Sequence, residues 1–505
     1  MEGTTQRRFS TTTVTALLVA LAAAGCAVGS DGSSSGPVAP GPNGARDSAP
    51  YPPPRPSEGV VRDFAMTDPG EDALSTFALD IDTGSYTRFR DAVQRGTRIS
   101  PSEVRTEEFV NYFAQDYEAP REGLGVSIDA AVLPFRPDHR LVRVGIRSAD
   151  VADASRPDAD LVLVVDCSGS MGEHGKMETT KTALRVLASS LRPTDRVAMV
   201  CYSDSASVAL EPTPVAERGA LLDAIDALRP QSSTNAAAGL ALGYDLAASM
   251  RSEGGSEGRM TRVVLVSDGV ANVGETTPGG ILERIGTQAR AGTSLISVGV
   301  GIETYNDRLL EQLADRGDGW HVYIDSAAEA ERVFATGLTG SLVVTARDAK
   351  AQVEFDPAQV AGYRLIGYEN RAVADEDFRN DAVDGGEVFA GHATTALYDV
   401  ELREGGWGTA PFVTATVRYR DGSGEAVERE ARLGGSDCVT DLAEASPRLH
   451  QDLVVAMLTD RLVGGPWSQW AGPEVLRAAA EGLPGRLDGD PAVAELVGLV
   501  DRVTA

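Results

Sequence analysis

The chain has 505 residues, 46 Lys plus Arg against 74 Asp plus Glu, and a formal charge of −28. Its 42% hydrophobic and 24% charged residues are ordinary globular values, which excludes global disorder and leaves room for roughly two to four domains with sizeable cores. The acidic balance argues against nucleic acid as a partner and against electrostatic docking on anionic lipid, because little positive charge is available to displace counterions. His139, His174, His321, His392 and His450 are scattered, and four cysteines add no Cys/His cluster, so a zinc site is not expected.

Arg7 and Arg8 precede an uncharged run from Phe9 to Ser30. Its apolar centre, Val14 to Ala24, is shorter than the about 20 apolar residues that span a bilayer, and it ends in small residues. Ala24-Gly25-Cys26 resembles the lipobox of bacterial lipoproteins, with Ala23 where leucine is usual. That resemblance implies a signal peptide over 1–25, cleaved before a lipid-bearing Cys26. Residues 26–70 read as a tether, because 27–59 carry eight Pro, six Gly and six Ser and cannot bury a core. A reach on the order of 30 Å would hold a folded body clear of the cell membrane or outer membrane, on its extracytoplasmic side.

Residues 71–157 read as an N-terminal domain. A strand is expected at Thr76–Asp82, a helix capped by Ser85 through Gln94, a second helix over Pro101–Phe113, and a strand at Leu141–Ile146. Residues 158–340 alternate strand and helix. Strands are expected at Leu161–Val165, Arg196–Tyr202, Arg262–Val266, Leu295–Val300 and Trp320–Ile324, with Ser207–Leu210 as a hairpin partner. Helices fall near 176–191, 215–228, 236–251, 279–291, 305–316 and 326–337. Repeated βα units predict a doubly wound α/β domain with a mainly parallel sheet.

Residues 341–445 change texture to alternating, turn-punctuated strands at Leu342–Ala346, Ala351–Phe355, Tyr363–Tyr368, Thr394–Leu402 and Phe412–Tyr419. These predict an antiparallel β domain, and together with the strands before residue 158 they are expected to form one discontinuous sandwich. Residues 446–505 are helical. The last helix is capped at Asp490-Pro491 and carries Val493, Leu496, Val497, Val500 and Val503 as a core-packing stripe.

The chemistry concentrates in Asp166-Cys-Ser-Gly-Ser170, a D-x-S-x-S pattern leaving a buried strand. A second apolar strand ends in Asp268-Gly269, and a loop threonine, Thr234, sits just before a helix. Open α/β sheets bind ligands beyond the carboxyl ends of their strands, so the two carboxylates are expected to face one crevice. Asp166, Ser168, Ser170, Thr234 and Asp268 are hard oxygen donors, suited to Mg²⁺ or Mn²⁺. Such a set leaves positions open for another hard oxygen, such as an Asp or Glu side chain of a protein partner.

On these residues the chain resembles the von Willebrand factor type A domain, and the five match its metal-ion-dependent adhesion site. The resemblance implies that the serines and threonine ligate directly or nearly so, while the aspartates often act through water. It extends to a bacterial family of type A domain lipoproteins through Thr76–Tyr86, Glu107–Phe113, Tyr305–Ala314, Tyr363–Arg371, Ala374–Phe378 and Gly391–Tyr398. After Asp268 the turn reads Gly-Val-Ala-Asn272, where relatives often carry an acidic residue.

Weaker signals have simpler readings. Cys167 and Cys201 end two neighbouring strands, where packed thiols are favoured over the disulfide that export would permit, with Cys438 unpaired in a loop. Asp80-Ile-Asp82-Thr-Gly84 has the wrong order for an aspartyl-phosphate motif, and Gly254-Gly-Ser-Glu-Gly258 precedes a strand, unlike a nucleophile elbow. Glu173 and His174 are expected in a solvated loop. With no base–nucleophile set, a hydrolase is not expected. The expected function is a lipid-anchored, non-enzymatic envelope protein that binds a partner through its cation. The alternative is a structural envelope protein whose metal site only stabilises the fold or is vestigial.

Overall fold

A computed structural model describes residue 62 and residues 64–253, 258–269, 285–289, 292–301, 307–337, 340, 342–369, 371–383, 385–404 and 409–505. The signal, Cys26 and most of the tether lie outside the described residues. So do Val270–Asn272, most of the Gly254–Gly258 loop and parts of the helices expected at 279–291 and 305–316.

Ahead of the central domain the chain forms β1 (Leu74–Ala78), α1 (Gly84–Gln94), a single turn at Pro101–Glu103, α2 (Thr106–Asn111), β2 (Leu124–Leu133) and β3 (Arg136–Ser148). The central domain follows as β4 (Ala159–Asp166), α3 (Lys176–Ser190), β5 (Arg196–Tyr202), β6 (Ala206–Pro214), α4 (Arg218–Ala227), α5 (Ala236–Ser252), β7 (Met260–Ser267), β8 (Thr293–Gly299) and β9 (Trp320–Tyr323). Its sheet has the order β6-β5-β4-β7-β8-β9. All neighbours are parallel except the β5–β6 hairpin.

β4 is buried throughout and apolar from Leu161 to Val165, because both faces are covered. Leu161, Leu163 and Val165 share a core with Leu184, Leu187, Leu221 and Ile225 of α3 and α4. Val162 and Val164 share another with Leu240 and Tyr244 of α5. After β6 the chain returns across the sheet to β7, so the switch point lies between β4 and β7.

The chain then forms β10 (Val344–Phe355), β11 (Val360–Ile366), β12 (Gly386–Phe389), β13 (Ala393–Leu402), β14 (Pro411–Arg420) and β15 (Ala426–Gly434). One antiparallel sheet runs β1-β10-β14-β15, with β12 also on β10, and a second runs β11-β13-β3-β2. Both sheets therefore mix strands from before and after the central domain. Phe77, Val142, Val144, Val353, Phe355, Tyr398, Val400 and Val417 meet in one core, as the discontinuous-sandwich reading requires.

The outer face of the second sheet is covered by α1, α2 and the helices Pro447–Val463, Pro473–Glu481 and Pro491–Thr504, with Leu133, Leu141 and Leu397 packed against Phe89, Phe109, Leu453 and Leu496. The Asp490 side chain accepts the amides of Ala492 and Val493 at 3.0 and 3.4 Å, capping the last helix as expected. Among the described residues no helix is long and apolar enough to cross a membrane.

Several expectations are corrected. Ser85 lies inside α1 and does not cap it: its amide donates to Glu108 Oε2 at 2.7 Å and its hydroxyl to the Glu103 carbonyl at 2.6 Å. The helix expected over Pro101–Phe113 is broken at Val104, which is extended and fully buried. Leu342–Ala346 and Ala351–Phe355 belong largely to one long strand, β10. Cys167 and Cys201 are joined in a disulfide, with Cα atoms 5.8 Å apart. Asp166, next to Cys167, pairs with Tyr202, next to Cys201, at the end of the β4–β5 ladder, and that register brings the two cysteines together.

Candidate metal centre at the sheet switch point

The D-x-S-x-S segment leaves the end of β4 as a tight turn. The Ser168 amide donates to Asp166 Oδ1 at 2.8 Å, and the Ser168 and Ser170 hydroxyls lie 3.0 Å apart. Asp166 Oδ2 accepts from the Ser267 hydroxyl of β7 at 2.9 Å and from the Tyr202 hydroxyl of β5 at 3.2 Å. Three adjacent strand ends thus converge on one carboxylate.

Backbone bonds clamp the loop that carries Thr234 against this turn. Gly169 donates to the Ser232 carbonyl at 2.9 Å, and Gln231 donates to the Cys167 carbonyl at 2.7 Å. Thr234 is buried at 3% exposure, one residue before Asn235. The Asn235 side chain caps α5 by accepting the Ala238 amide at 3.1 Å. Gly239, one turn into α5, allows the helix to approach closely, since a Cβ there would lie 2.6 Å from the Tyr202 ring.

Asp268 is fully buried just beyond β7. Its Oδ2 accepts from the Lys176 ammonium at 3.0 Å, across from the first turn of α3. Room for that ammonium depends on Gly301, whose φ is +83° and whose absent Cβ would lie 2.5 Å from Lys176 Cε. Burial pushes the Asp166 carboxyl up to about 6, opposed by the hydrogen bonds from Ser168 and Ser267 and reinforced by the charge of Asp268.

All five expected residues therefore fall at the carboxyl end of the sheet, at its switch point. Four of them, Asp166, Ser168, Thr234 and Asp268, are buried, and Ser170 is half-buried. Glu173 and His174 are exposed, in keeping with a solvated loop. Lys176, Tyr202 and Ser267 were not singled out by sequence. Ser267 stands next to Asp268 and was legible in principle; Lys176 and Tyr202 become site residues only through where α3 and β5 dock. Chemically the cluster offers hydroxyl and carboxylate oxygens, with one ammonium offsetting part of their charge.

Fold and site define the class. Residues 160–336 match the von Willebrand factor type A domain, and the chain contains such a domain. Residues 60–143 match a family described as von Willebrand factor, and 340–434 match the C-terminal domain of the uncharacterized protein YfbK.

The chain is homologous to the uncharacterized protein YfbK of Escherichia coli K12, at 35% identity over 341 residues, 66% of this chain and 59% of that protein. It is 29% identical over 197 residues to the uncharacterized protein sll0103 of Synechocystis, 39% of this chain and 44% of that one. The chain thus spans less than two thirds of the length of both relatives. Among solved structures it is similar to a von Willebrand factor type A protein from Catenulispora acidiphila, with a TM-score of 0.43 and 16% identity, covering 77% of this chain and 90% of that one. The ArnB paralog VWA2 from Sulfolobus acidocaldarius gives 0.36 and 16%, covering 75% and 97%.

Proposed function

We propose that this chain is a non-enzymatic cell-envelope lipoprotein, anchored through Cys26, whose type A domain holds Mg²⁺ or Mn²⁺ and binds an acidic side chain of a protein partner. The observation that carries this reading is the convergence of Asp166, Ser168, Ser170, Thr234 and Asp268 at the switch point. Hard oxygens of this kind suit a hard divalent cation. The charge of Asp268 adds to the cost of ionising the buried Asp166, and a cation between the two would relieve it. The cation would supply a partly exposed positive centre for an incoming carboxylate.

The chain's own residues position that centre. Ser267 and Tyr202 fix the Asp166 carboxylate from neighbouring strands, and the clamped 231–235 loop presents Thr234. Lys176 supports the second reading, a structural envelope protein, because its ammonium already neutralises Asp268.

The two readings separate in one experiment. Partner capture from membrane extract is run with Mg²⁺ and with EDTA, using the native chain, Asp166→Ala and Lys176→Met. The expected result is a captured protein that is lost with EDTA and with Asp166→Ala. Lys176→Met is expected to bind Mg²⁺ roughly tenfold more tightly, since one competing charge beside Asp268 is gone. Capture indifferent to EDTA would rule out the adhesion mechanism and leave the structural reading.

A further inference from the structure

Among the described residues, one set of three metal-ligating side chains places all its ligand atoms within 4.8 Å of one another: Asp138, His139 and Glu401. It lies in the β-sandwich, where His139 of β3 sits directly opposite Glu401 of β13. The β2–β3 ladder shifts register between Val132–Arg140 and Leu133–Arg136, so the strand bulges at 137–139. At this bulge the exposed Asp138 carboxylate comes within 3.9 Å of the buried His139 ring.

His139 is fully buried. Its Nδ1 lies 2.5 Å from Asp399 Oδ1, and the other oxygen of Asp399 accepts from Trp467 Nε1 at 2.7 Å. An ionised carboxylate only accepts, so the ring proton facing it belongs to Nδ1. Nε2 is left with no hydrogen-bond partner although it is buried. It faces two carboxylates, Asp138 Oδ2 and Glu401 Oε2, each 3.9 Å away.

A lone pair aimed between two anions is a costly arrangement without a cation. The Asp399–His139 contact has the form of the carboxylate–imidazole support that orients metal-bound histidines. Both outer carboxylates are solvent-accessible, so they can close on an ion: ligand bonds of about 2.1 Å need N···O separations near 3.4 Å for tetrahedral geometry.

We propose that Asp138, His139 and Glu401 form a second metal site for a divalent transition ion of the zinc class, with Asp399 positioning the imidazole. Imidazole with carboxylates favours this class over Mg²⁺ or Ca²⁺. The site is separate from the type A cluster and does not depend on the function proposed for it. A bound ion would tie the β2–β3 turn to β13 and leave a coordination position open to water.

The test uses the full chain stripped with chelator and held in saturating Mg²⁺, titrated with Zn²⁺ by calorimetry and with Co²⁺ by visible absorption. One equivalent is expected, unchanged in Asp166→Ala. The paired variant Asp138→Asn, Glu401→Gln alters only accessible side chains and is expected to melt no lower than the native chain without metal. It should lose roughly tenfold or more in Zn²⁺ affinity, together with the Co²⁺ band. The absence of saturable binding overturns the proposal. Binding that survives the paired variant, or disappears with Asp166→Ala, overturns it as well.

Discussion

At the scale of single residues, one unusual side chain outside the two clusters is Glu107 of α2. It is 1% exposed; Oε2 accepts the Tyr368 amide at 3.0 Å, while Oε1 has no hydrogen-bond partner. Burial, reinforced by Glu369 and Asp80, pushes its carboxyl up to about 8 from 4.5. A folded-state value above the unfolded one means that the protonated acid favours the fold. That contribution is complete below pH 4.5 and disappears as pH rises through 8.

Glu107→Gln keeps the acceptor for Tyr368 and removes the charge. Urea melts across pH are expected to match the native chain near the acidic limit. Above pH 8 they should show the variant more stable by about 2 to 4 kcal/mol. A variant that is less stable at alkaline pH would contradict a neutral Glu107.

The five type A residues were legible because three of them share one short segment, Asp268 follows a recognisable strand end and Thr234 sits just before a recognisable helix. His139 was set aside on good grounds, since counting Cys and His detects clustered ligands only. Its neighbours Asp399 and Glu401 reach it through a β ladder between strands far apart in sequence, and local spacing holds no trace of that.

At the scale of elements, the legible ones were those whose burial is set by the sheet itself. β4, β5 and β7 read as apolar runs because both of their faces are covered, and α3 and α5 show one apolar stripe each. β15 was missed because Glu428, Arg429 and Glu430 follow one another on an edge strand, where solvent reaches most side chains. The broken helix after Pro101 was missed for the opposite reason: its residues suit a helix, and tertiary burial of Val104 overrides that preference.

The disulfide joins the ends of β4 and β5 at the base of the 166–170 turn and closes a loop of 34 residues. The chain-entropy relation gives about 3 to 4 kcal/mol for such a loop. Cys167→Ala with Cys201→Ala is expected to lose about that much in denaturant melts, and reducing agent should then shift the native chain but not the variant. Equal stability of the two chains would place the stabilisation elsewhere.

At the scale of the molecule, the α/β domain is an insertion within a sandwich whose strands come from both flanks. The alternation on either side of residues 158–340 suggested this, but pairing partners cannot be read from alternation alone. β13 lies against β3 along nearly its whole length, and β10 lies between β1 and β14.

A chain ending at residue 340 would leave β1 and β3 without these neighbours and uncover Leu133 and Leu141. Such a truncation is expected to be insoluble on expression, as judged by the soluble fraction and by dispersion of its amide NMR spectrum. A soluble, well-dispersed truncated chain would mean that the N-terminal segment has a core of its own.

The insertion also sets a direction for force. Asp166 lies at one end of β4, and the chain enters that strand at Ala159, at the opposite end. β4 runs between two parallel neighbours, β5 and β7, along most of its length. A tug on Asp166 would therefore travel lengthwise down the middle of the sheet, loading the hydrogen bonds on both sides together. To tear β4 out, these rows must slip as a block, whereas an edge strand peels one bond at a time. The central place of β4 makes this strand resistant to a pull along its own length.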